Sequence, residues 1–188
     1  SAHGAAFTVD HRELIGKTDA VTIATDTSMH FELARFFLEN GVHVLVEKPM
    51  TTTSAEGRIL TALAERNDLR LQVGHVERFN PAFLSARERL GTVQFIECHR
   101  LAPFKDRGAD VNVVLDLMIH DLDVILSLIF GTPSSVSAVG IPVLTKTADI
   151  ANARIEFDTG AIANVTASRV STSTQRKFRV FHEDQYLS

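Results

Sequence analysis

Residues 111–130 read Val111-Asn-Val-Val-Leu-Asp-Leu-Met-Ile-His-Asp-Leu-Asp-Val-Ile-Leu-Ser-Leu-Ile-Phe130, an almost wholly apolar run that predicts a helix buried against other elements. Within it, Asp116, His120, Asp123 and Ser127 recur at steps of four, three and four residues, which places them on one helix face. Unpaired charges are costly in a core, so this polar stripe must face a polar cavity or hydrogen-bonding partners. A membrane-spanning helix is excluded, because each aspartate near its middle would cost about 2.5–3.5 kcal/mol.

The composition is that of a soluble globular protein. The 188 residues are 45% hydrophobic and 22% charged. A formal charge of −4 gives no electrostatic reason to expect nucleic acid or an anionic membrane as a partner. Cys98 is the only cysteine, so no internal disulfide can form and a cytoplasmic location is expected.

The first half of the chain alternates predicted strands and helices. The strands are expected over residues 7–9, 20–25, 43–47 and 69–73. The helices are expected to be capped by Asp10, by Thr27 or Ser28, and by the capping box Thr53-Ser-Ala-Glu56. Strands separated by helices of this length predict βαβ units and therefore a parallel sheet.

The second half changes to β character around the helix of residues 111–130. A helix should begin at Asn80-Pro81 and end at Gly91. Asp158-Thr-Gly160 is expected to be a hairpin turn. Further strands are predicted over residues 92–101, 151–157, 161–170 and 177–181. These patterns predict an open, mostly antiparallel sheet with a helix packed on one face.

One part of a dinucleotide-binding fold is missing from the first half. Such a fold begins with a strand, a Gly-x-Gly-x-x-Gly turn and a helix, whereas Gly4 and Gly16 stand alone here. We therefore expect residues 1–76 to form a partial Rossmann domain that lacks its first βαβ unit of about 30 residues. The abrupt end after Tyr186-Leu-Ser188 likewise indicates truncation at the carboxyl end.

Three motifs resemble those of the Gfo/Idh/MocA oxidoreductases in order and spacing. They are Asp19-Ala-Val-Thr-Ile-Ala-Thr-Asp-Thr-Ser-Met-His30, Gly41-Val-His-Val-Leu-Val-Glu-Lys-Pro49 and Asp116-Leu-Met-Ile-His-Asp-Leu-Asp123. The resemblance implies an NAD- or NADP-dependent enzyme whose second domain, here residues 77–188, binds substrate and forms homo-dimers or homo-tetramers. It also implies that Lys48, Asp116 and His120 are the catalytic group.

The sequence departs from the family pattern at three points. Asp26 stands where the family usually has proline, and Met118-Ile119 replace the usual small glycine before the histidine. The third departure is the absence of the Gly-x-Gly-x-x-Gly fingerprint. Within the family, Gly74-His-Val-Glu-Arg-Phe-Asn-Pro81 and residues 114–123 are most similar to the UDP-N-acetylglucosamine 3-dehydrogenases, which oxidise the sugar 3-hydroxyl.

The three implied catalytic residues suit the oxidation of a secondary alcohol. The reaction needs a general base within hydrogen-bond reach of the hydroxyl, and a histidine such as His120 titrates near neutral pH. Lys48 could serve instead if burial or a neighbouring cation removed its proton, or it could stay charged and stabilise the alkoxide. Asp116 lies one turn before His120 and can hold its imidazole in one tautomer.

Other interpretations of these residues stay open. Asp116 and His120 can form a satisfied core pair, and Lys48 can be a solvated loop residue. A metal site at Asp116, His120 and Asp123 lacks a second ligand-rich helix or a cysteine cluster, so no metal is predicted. Asp123 is expected to be structural, and Asp121 to meet solvent or an arginine.

Ligand contacts are predicted where strands of the parallel sheet end. The predicted cofactor-binding residues are Thr25, Thr27, His30, Glu47 and Lys48. His30 could equally serve in packing or capping. Arg78 and Arg107 are the predicted ligands of a substrate diphosphate, because arginine pairs bidentately with phosphate, although Arg78 could equally be a salt-bridged structural residue.

Two classes of function follow from the sequence. The first is an oxidoreductase that moves a hydride from a sugar or nucleotide-sugar alcohol to NAD or NADP. The second is a non-catalytic sensor or regulatory protein that binds NAD(P) or a sugar. Lys48, Asp116 and His120 together favour the first class.

Overall fold

The computed structural model describes residues 4–105, 111–183 and 185–188. The chain forms two compact units, Ser1–Gly74 and His75–Ser188, a division close to the predicted boundary at residues 76 and 77. Among the described helices, none is both long enough and apolar enough to cross a membrane.

The first unit contains the expected parallel sheet. Its strands, in spatial order, are β1 (Ala20–Ile23), β2 (His43–Glu47) and β3 (Leu71–Gly74). Two helices connect them, α1 (Thr27–Glu39) and α2 (Ser54–Arg66). The core of this unit lies between the sheet and the helices, where Val44, Leu38 and Leu60 are among the most deeply buried side chains.

Local capping chemistry explains where most of these helices begin. Thr53 Oγ1 accepts a hydrogen bond from Glu56 N at 3.3 Å, and the Glu56 carboxylate accepts one from Thr53 N at 3.0 Å, as the capping box predicts. Asp10 caps the short 3-10 helix His11–Leu14. The cap predicted at Thr27 or Ser28 is wrong, because α1 begins at Thr27 with Asp26 at the N-cap position.

The strand predicted at residues 7–9 is also wrong. Phe7 and Val9 are 86% and 98% exposed, so no packing surface holds them in a sheet. Instead, Thr8 Oγ1 accepts a hydrogen bond from Asp10 N at 3.0 Å, and this local bond turns the chain towards the short helix.

The second unit is a six-stranded, mostly antiparallel sheet with helices on one face, as predicted. Its strands are β4 (Val93–Leu101), β5 (Pro133–Ile141), β6 (Ile150–Phe157), β7 (Ile162–Ser168), β8 (Gln175–His182) and β9 (Gln185–Leu187). They pair in the order β5-β6-β7-β4-β8-β9, and only β4 and β7 run parallel. The turn at Asp158–Gly160 joins β6 to β7, with Gly160 at φ +85°.

The helices of this unit are shorter than the patterns predicted. The helix α3 (Pro81–Arg87) is capped by Asn80, whose side chain accepts from Ala82 N, but it ends before Gly91. The long apolar stretch forms a π-helical turn, Val114–Met118, followed directly by α4 (Ile119–Leu128). The helix α4 packs on β4 and β7, which explains its apolar sequence.

Candidate active site

Asp116 and His120 lie on either side of a change in helix geometry. Asp116 is in the π-helical turn, and His120 is in the first turn of α4. The Ile119 N–H donates to Val114 O, a bond that spans five residues instead of four. Both side chains are partly exposed, so the helix surface that carries them is open to a ligand. π-helical turns occur frequently at functional sites.

Further along the predicted stripe, Asp123 forms an ion pair with Arg78. Arg78 Nε donates to Oδ2 and Nη2 donates to Oδ1, both at 2.7 Å. His75 Nε2 lies 3.9 Å from Oδ1 of the same carboxylate. The hydrogen bond to Asp123 raises the pKa of Arg78. Asp123 therefore has the structural partner that its predicted role requires, and Arg78 forms the salt bridge that was its alternative interpretation.

Of the two partners predicted for Asp121, solvent or an arginine, the structure shows the arginine. Asp121 is 5% exposed and accepts from Arg100 Nε at 2.9 Å and from Arg100 Nη2 at 2.7 Å. Burial opposes the charge on Arg100 and is the largest single influence on it, but hydrogen bonding to Asp121 and charge attraction to Asp121 and Glu77 together raise the arginine pKa. The reason is tertiary, because α4 lies on β4 and turns residue 121 towards that strand.

The predicted cofactor residues of the first unit follow the carboxyl ends of its parallel strands. Thr25 and Lys48 come after β1 and β2, with Thr25 exposed and Lys48 partly exposed. Glu47 is in register with Gly74 of β3. A Cβ atom at residue 74 would lie only 3.0 Å from the Glu47 carboxyl carbon, so the glycine makes room for this carboxylate.

His30 connects two of these strand-end loops. Its imidazole is buried, with Nδ1 2.8 Å from Pro49 O and Nε2 3.1 Å from Thr25 O. Carbonyl oxygens only accept hydrogen bonds, so whichever ring nitrogen carries the proton donates to the carbonyl beside it. This geometry fits the packing alternative for His30. Thr27 is the first residue of α1 and is partly exposed.

Each unit therefore gathers one part of the predicted site. The first contains Thr25, Thr27, His30, Glu47 and Lys48, and the second contains Arg78, Asp116 and His120. Arg107 lies outside the described residues. Among the residues that the structure describes, no group of three or more His, Cys, Asp or Glu side chains could hold a metal ion.

Two contacts near this site were not predicted from the sequence. His75 and Arg100 contact the aspartates of α4, but His75 had no role assigned within the Gly74–Pro81 motif and Arg100 lies in a predicted strand. Arg78 is separated from Asp123 by 45 positions. Such pairs form only when distant elements pack together, so spacing along the chain cannot reveal them.

Comparison with known proteins identifies two family domains in the chain. Residues 1–75 match the model of an oxidoreductase family with an NAD-binding Rossmann fold, GFO_IDH_MocA. Residues 84–188 match the GFO/IDH/MocA C-terminal domain, which is more than half of the chain.

The chain is similar to named dehydrogenases of two bacteria. It is 42% identical over 176 residues to a UDP-N-acetylglucosamine 3-dehydrogenase of Acidithiobacillus ferrooxidans, covering 93% of this chain and 56% of that protein. It is 32% identical over 168 residues to the NAD(+)-dependent scyllo-inositol 2-dehydrogenase of Bacillus subtilis, covering 81% and 49%. The chain thus spans about half the length of these curated relatives.

Solved structures show the same fold. The UDP-N-acetylglucosamine 3-dehydrogenase of Acidithiobacillus ferrooxidans superposes with a TM-score of 0.89 at 40% identity, covering 95% of this chain and 60% of that one. GenD2 from gentamicin A biosynthesis, solved in complex with NAD, superposes with a TM-score of 0.88 at 22% identity, covering 98% and 58%. At that identity the second likeness concerns the fold alone.

Proposed function

The chain belongs to the Gfo/Idh/MocA oxidoreductase family, and we propose that the whole protein is an NAD(P)-dependent dehydrogenase acting on a sugar or nucleotide sugar. The favoured substrate group is the 3-hydroxyl of UDP-N-acetylglucosamine. The observation that carries this proposal is the similarity, over nearly the whole chain, to a relative named for that reaction. Lys48, Asp116 and His120 supply groups that the reaction needs.

The first unit carries polar groups that suit the ribose and nicotinamide parts of a nicotinamide nucleotide. Thr25 and Thr27 offer hydroxyl groups, Lys48 offers an ammonium group, and Glu47 offers a carboxylate that can accept from ribose hydroxyls. All four lie at or just beyond the carboxyl ends of β1 and β2, which is where open α/β sheets bind ligands. When bound, the cofactor supplies the acceptor for the hydride that leaves the substrate carbon.

The remaining chemistry belongs to side chains of this protein. A ring nitrogen of His120 accepts the proton of the substrate hydroxyl as the carbon loses its hydride. Asp116 orients this imidazole and stabilises the positive charge that it gains. Lys48 Nζ stays charged and stabilises the developing negative charge on the alcohol oxygen. The partly exposed positions of Asp116 and His120 on the helix surface support these roles.

The proposal is tested by turnover of the whole protein with UDP-N-acetylglucosamine, myo-inositol and other polyols, followed as NADH or NADPH formation. His120→Asn and Lys48→Met should each lower kcat by about 10²–10⁴-fold, the range that general acid–base groups contribute. Their thermal unfolding should match that of the wild type, because both residues are partly exposed.

Matched variants control for the loss of a histidine or a lysine as such. His99→Asn removes a partly exposed histidine of β4, and Lys17→Met removes an exposed lysine of the first unit. Both should turn over substrate at the wild-type rate. Wild-type rates in His120→Asn and Lys48→Met would refute the assigned roles. Sugar binding with no turnover of any substrate would favour the sensor alternative.

The same proposal includes the setting of the enzyme. We infer a cytoplasmic location, since the lone Cys98 is buried in β4 and needs no oxidising compartment. From the family resemblance we infer a homo-dimer or homo-tetramer. Analytical ultracentrifugation of the whole protein tests the oligomeric state, and a monomer at micromolar concentration would contradict it.

A further inference from the structure

A buried carboxylate lies just before β6, outside the three motifs that carry the family resemblance. Asp149 is 0% exposed. Its Oδ2 accepts from the backbone N–H groups of Val143, Leu144 and Thr145 at 2.7–2.8 Å. Its Oδ1 accepts from Thr145 Oγ1 at 2.9 Å and from Arg169 Nε at 2.8 Å. Such a density of donors makes this carboxylate the centre of a fixed loop.

The charge on Asp149 is held firmly. Burial alone would raise its pKa, but the backbone N–H groups of Thr145 and Val143, the Arg169 guanidinium and the Leu144 N–H together hold that pKa well below its usual range. These donors therefore favour the charged form of Asp149. Arg169, which is 3% exposed, is its buried counter-ion.

Arg169 carries the effect of this pair to the helix that bears the site. Its Nη1 donates to Val111 O at 2.7 Å, and its Nη2 contacts the hydroxyl oxygens of Thr145 and Thr147 at 3.1 and 3.2 Å. One guanidinium thus joins the loop before β6 to the residue that leads into the π-helical turn. A second tie is the backbone bond from Val113 N to Ala148 O at 2.9 Å.

A series of hydrogen bonds connects these two ties to Asp116. Asn112 stands between the tied residues, and its Oδ1 accepts from Val114 N at 3.0 Å and Leu115 N at 3.1 Å. The Asp116 N–H then donates to Asn112 O at 3.0 Å. Each of these hydrogen bonds joins residues no more than about one helical turn apart in the chain. A shift of Val111 would therefore move the first turn and the carboxylate of Asp116 with it.

We propose that the buried Asp149–Arg169 pair is a positioning element that sets the start of the helix bearing Asp116 and His120. The inference rests on the proposed function of those two residues. A buried ion pair is weak evidence for added stability, since apolar residues of the same volume often do as well. What apolar residues cannot do is direct donors to a carboxylate, a carbonyl and two hydroxyls at once.

Arg169→Lys in the whole protein tests the proposal. It keeps the charge beside Asp149, but one ammonium group cannot replace the fork that reaches Val111 O. We expect kcat to fall about 10²-fold, the effect of a misplacement of roughly 1 Å, with little change in KM for the cofactor. The pH profile of kcat/KM should also shift, because Asp116 and His120 no longer hold their relative orientation.

Two controls separate positioning from loss of stability. Val180→Ala removes a buried side chain of β8, and it should lower the unfolding temperature while leaving kcat and the pH profile unchanged. Arg154→Lys changes an exposed pair of β6 and should change none of the three quantities. If Arg169→Lys lowers only the unfolding temperature, as Val180→Ala should, the positioning role is refuted.

Amide hydrogen exchange keeps this inference distinct from the proposed function. Arg169→Lys should speed exchange over residues 113–118 more than in β4, whether or not the protein turns over a sugar. Unchanged protection there would overturn the positioning role even in an active enzyme. Faster exchange in a protein with no turnover would support the role of Arg169 in holding this segment and would refute the dehydrogenase assignment instead.

Discussion

Two aspartates of one helix, Asp121 and Asp123, form the same kind of ion pair in different surroundings. Each accepts two hydrogen bonds of 2.7–2.9 Å from the Nε and Nη2 atoms of one arginine. Positions i and i+2 of an α-helix are about 200° apart around its axis, so the carboxylates of Asp121 and Asp123 point in nearly opposite directions. Asp121 pairs with Arg100 where α4 packs on β4, whereas Asp123, on the helix face that carries His120, pairs with Arg78.

The difference lies in the arginine. The Arg100 side chain is 10% exposed, but that of Arg78 is 50% exposed. Water stabilises a guanidinium that has lost its partner only where it can reach the group. Equal geometry therefore does not mean equal energy, and the Arg100 pair should matter for folding while the Arg78 pair should matter mainly for local order.

Breaking the buried pair should have the largest effect on stability. Asp121→Ala leaves the buried Arg100 guanidinium with only the Glu77 carboxylate, whose Oε1 lies 3.8 Å from Nη1, and we expect the free energy of unfolding to fall by about 3–5 kcal/mol. Urea unfolding of the second unit, followed by circular dichroism, measures it. The double variant Asp121→Leu with Arg100→Met should recover much of that loss. No recovery would mean that the charges themselves stabilise the fold.

Breaking the half-exposed pair should cost less. Asp123→Ala should lower the free energy of unfolding by about 1 kcal/mol, because solvent takes over the guanidinium of Arg78. Raising the salt concentration to 1 M, where the Debye length is about 3 Å, should remove most of this difference from the wild type. The loss in Asp121→Ala should persist at 1 M salt. Equal salt sensitivity of the two variants would show that Arg100 is as hydrated as Arg78.

The smallest effect concerns the single thiol of the chain. Burial raises the pKa of Cys98 strongly, and the nearby Asp121 raises it further while Arg100 lowers it. The wild-type thiol should therefore stay protonated and react with a disulfide reagent only when β4 opens. Labelling should be faster in Asp121→Ala than in Asp123→Ala at the same urea concentration. Equal rates in the two variants would show that β4 opens independently of Asp121.

Features governed by neighbouring residues were predictable. The capping box at Thr53, the cap at Asn80 and the turn at Asp158–Gly160 each depend on a few adjacent residues, and all three are present. Predictions that needed a packing surface were less secure. The strand expected at residues 7–9 does not form, and Phe7 and Val9 are largely exposed. The helix expected over residues 111–130 spans only Val114–Leu128, and the residues before it bond to Ala148 and Arg169.

The candidate site divides in the same way. Lys48, Asp116 and His120 were predicted from the motifs that carry the family resemblance, since residue type and spacing identify those motifs. His75, Arg100, Asp149 and Arg169 were not, because each acts through a residue of another element. Asp121 shows the limit most directly, since its place off the stripe gave no hint that β4 would cover it.

By itself, the sequence determined the parallel and antiparallel halves, the family, and the residues that carry the proposed chemistry. Periodicity and motifs encode these properties locally, so they survive when the chain is read without its fold. The tertiary structure alone decided which charges are neutralised, which arginine stays hydrated, and what holds the start of the His120 helix. Those outcomes depend on desolvation, and a group loses water only when distant parts of the chain close over it.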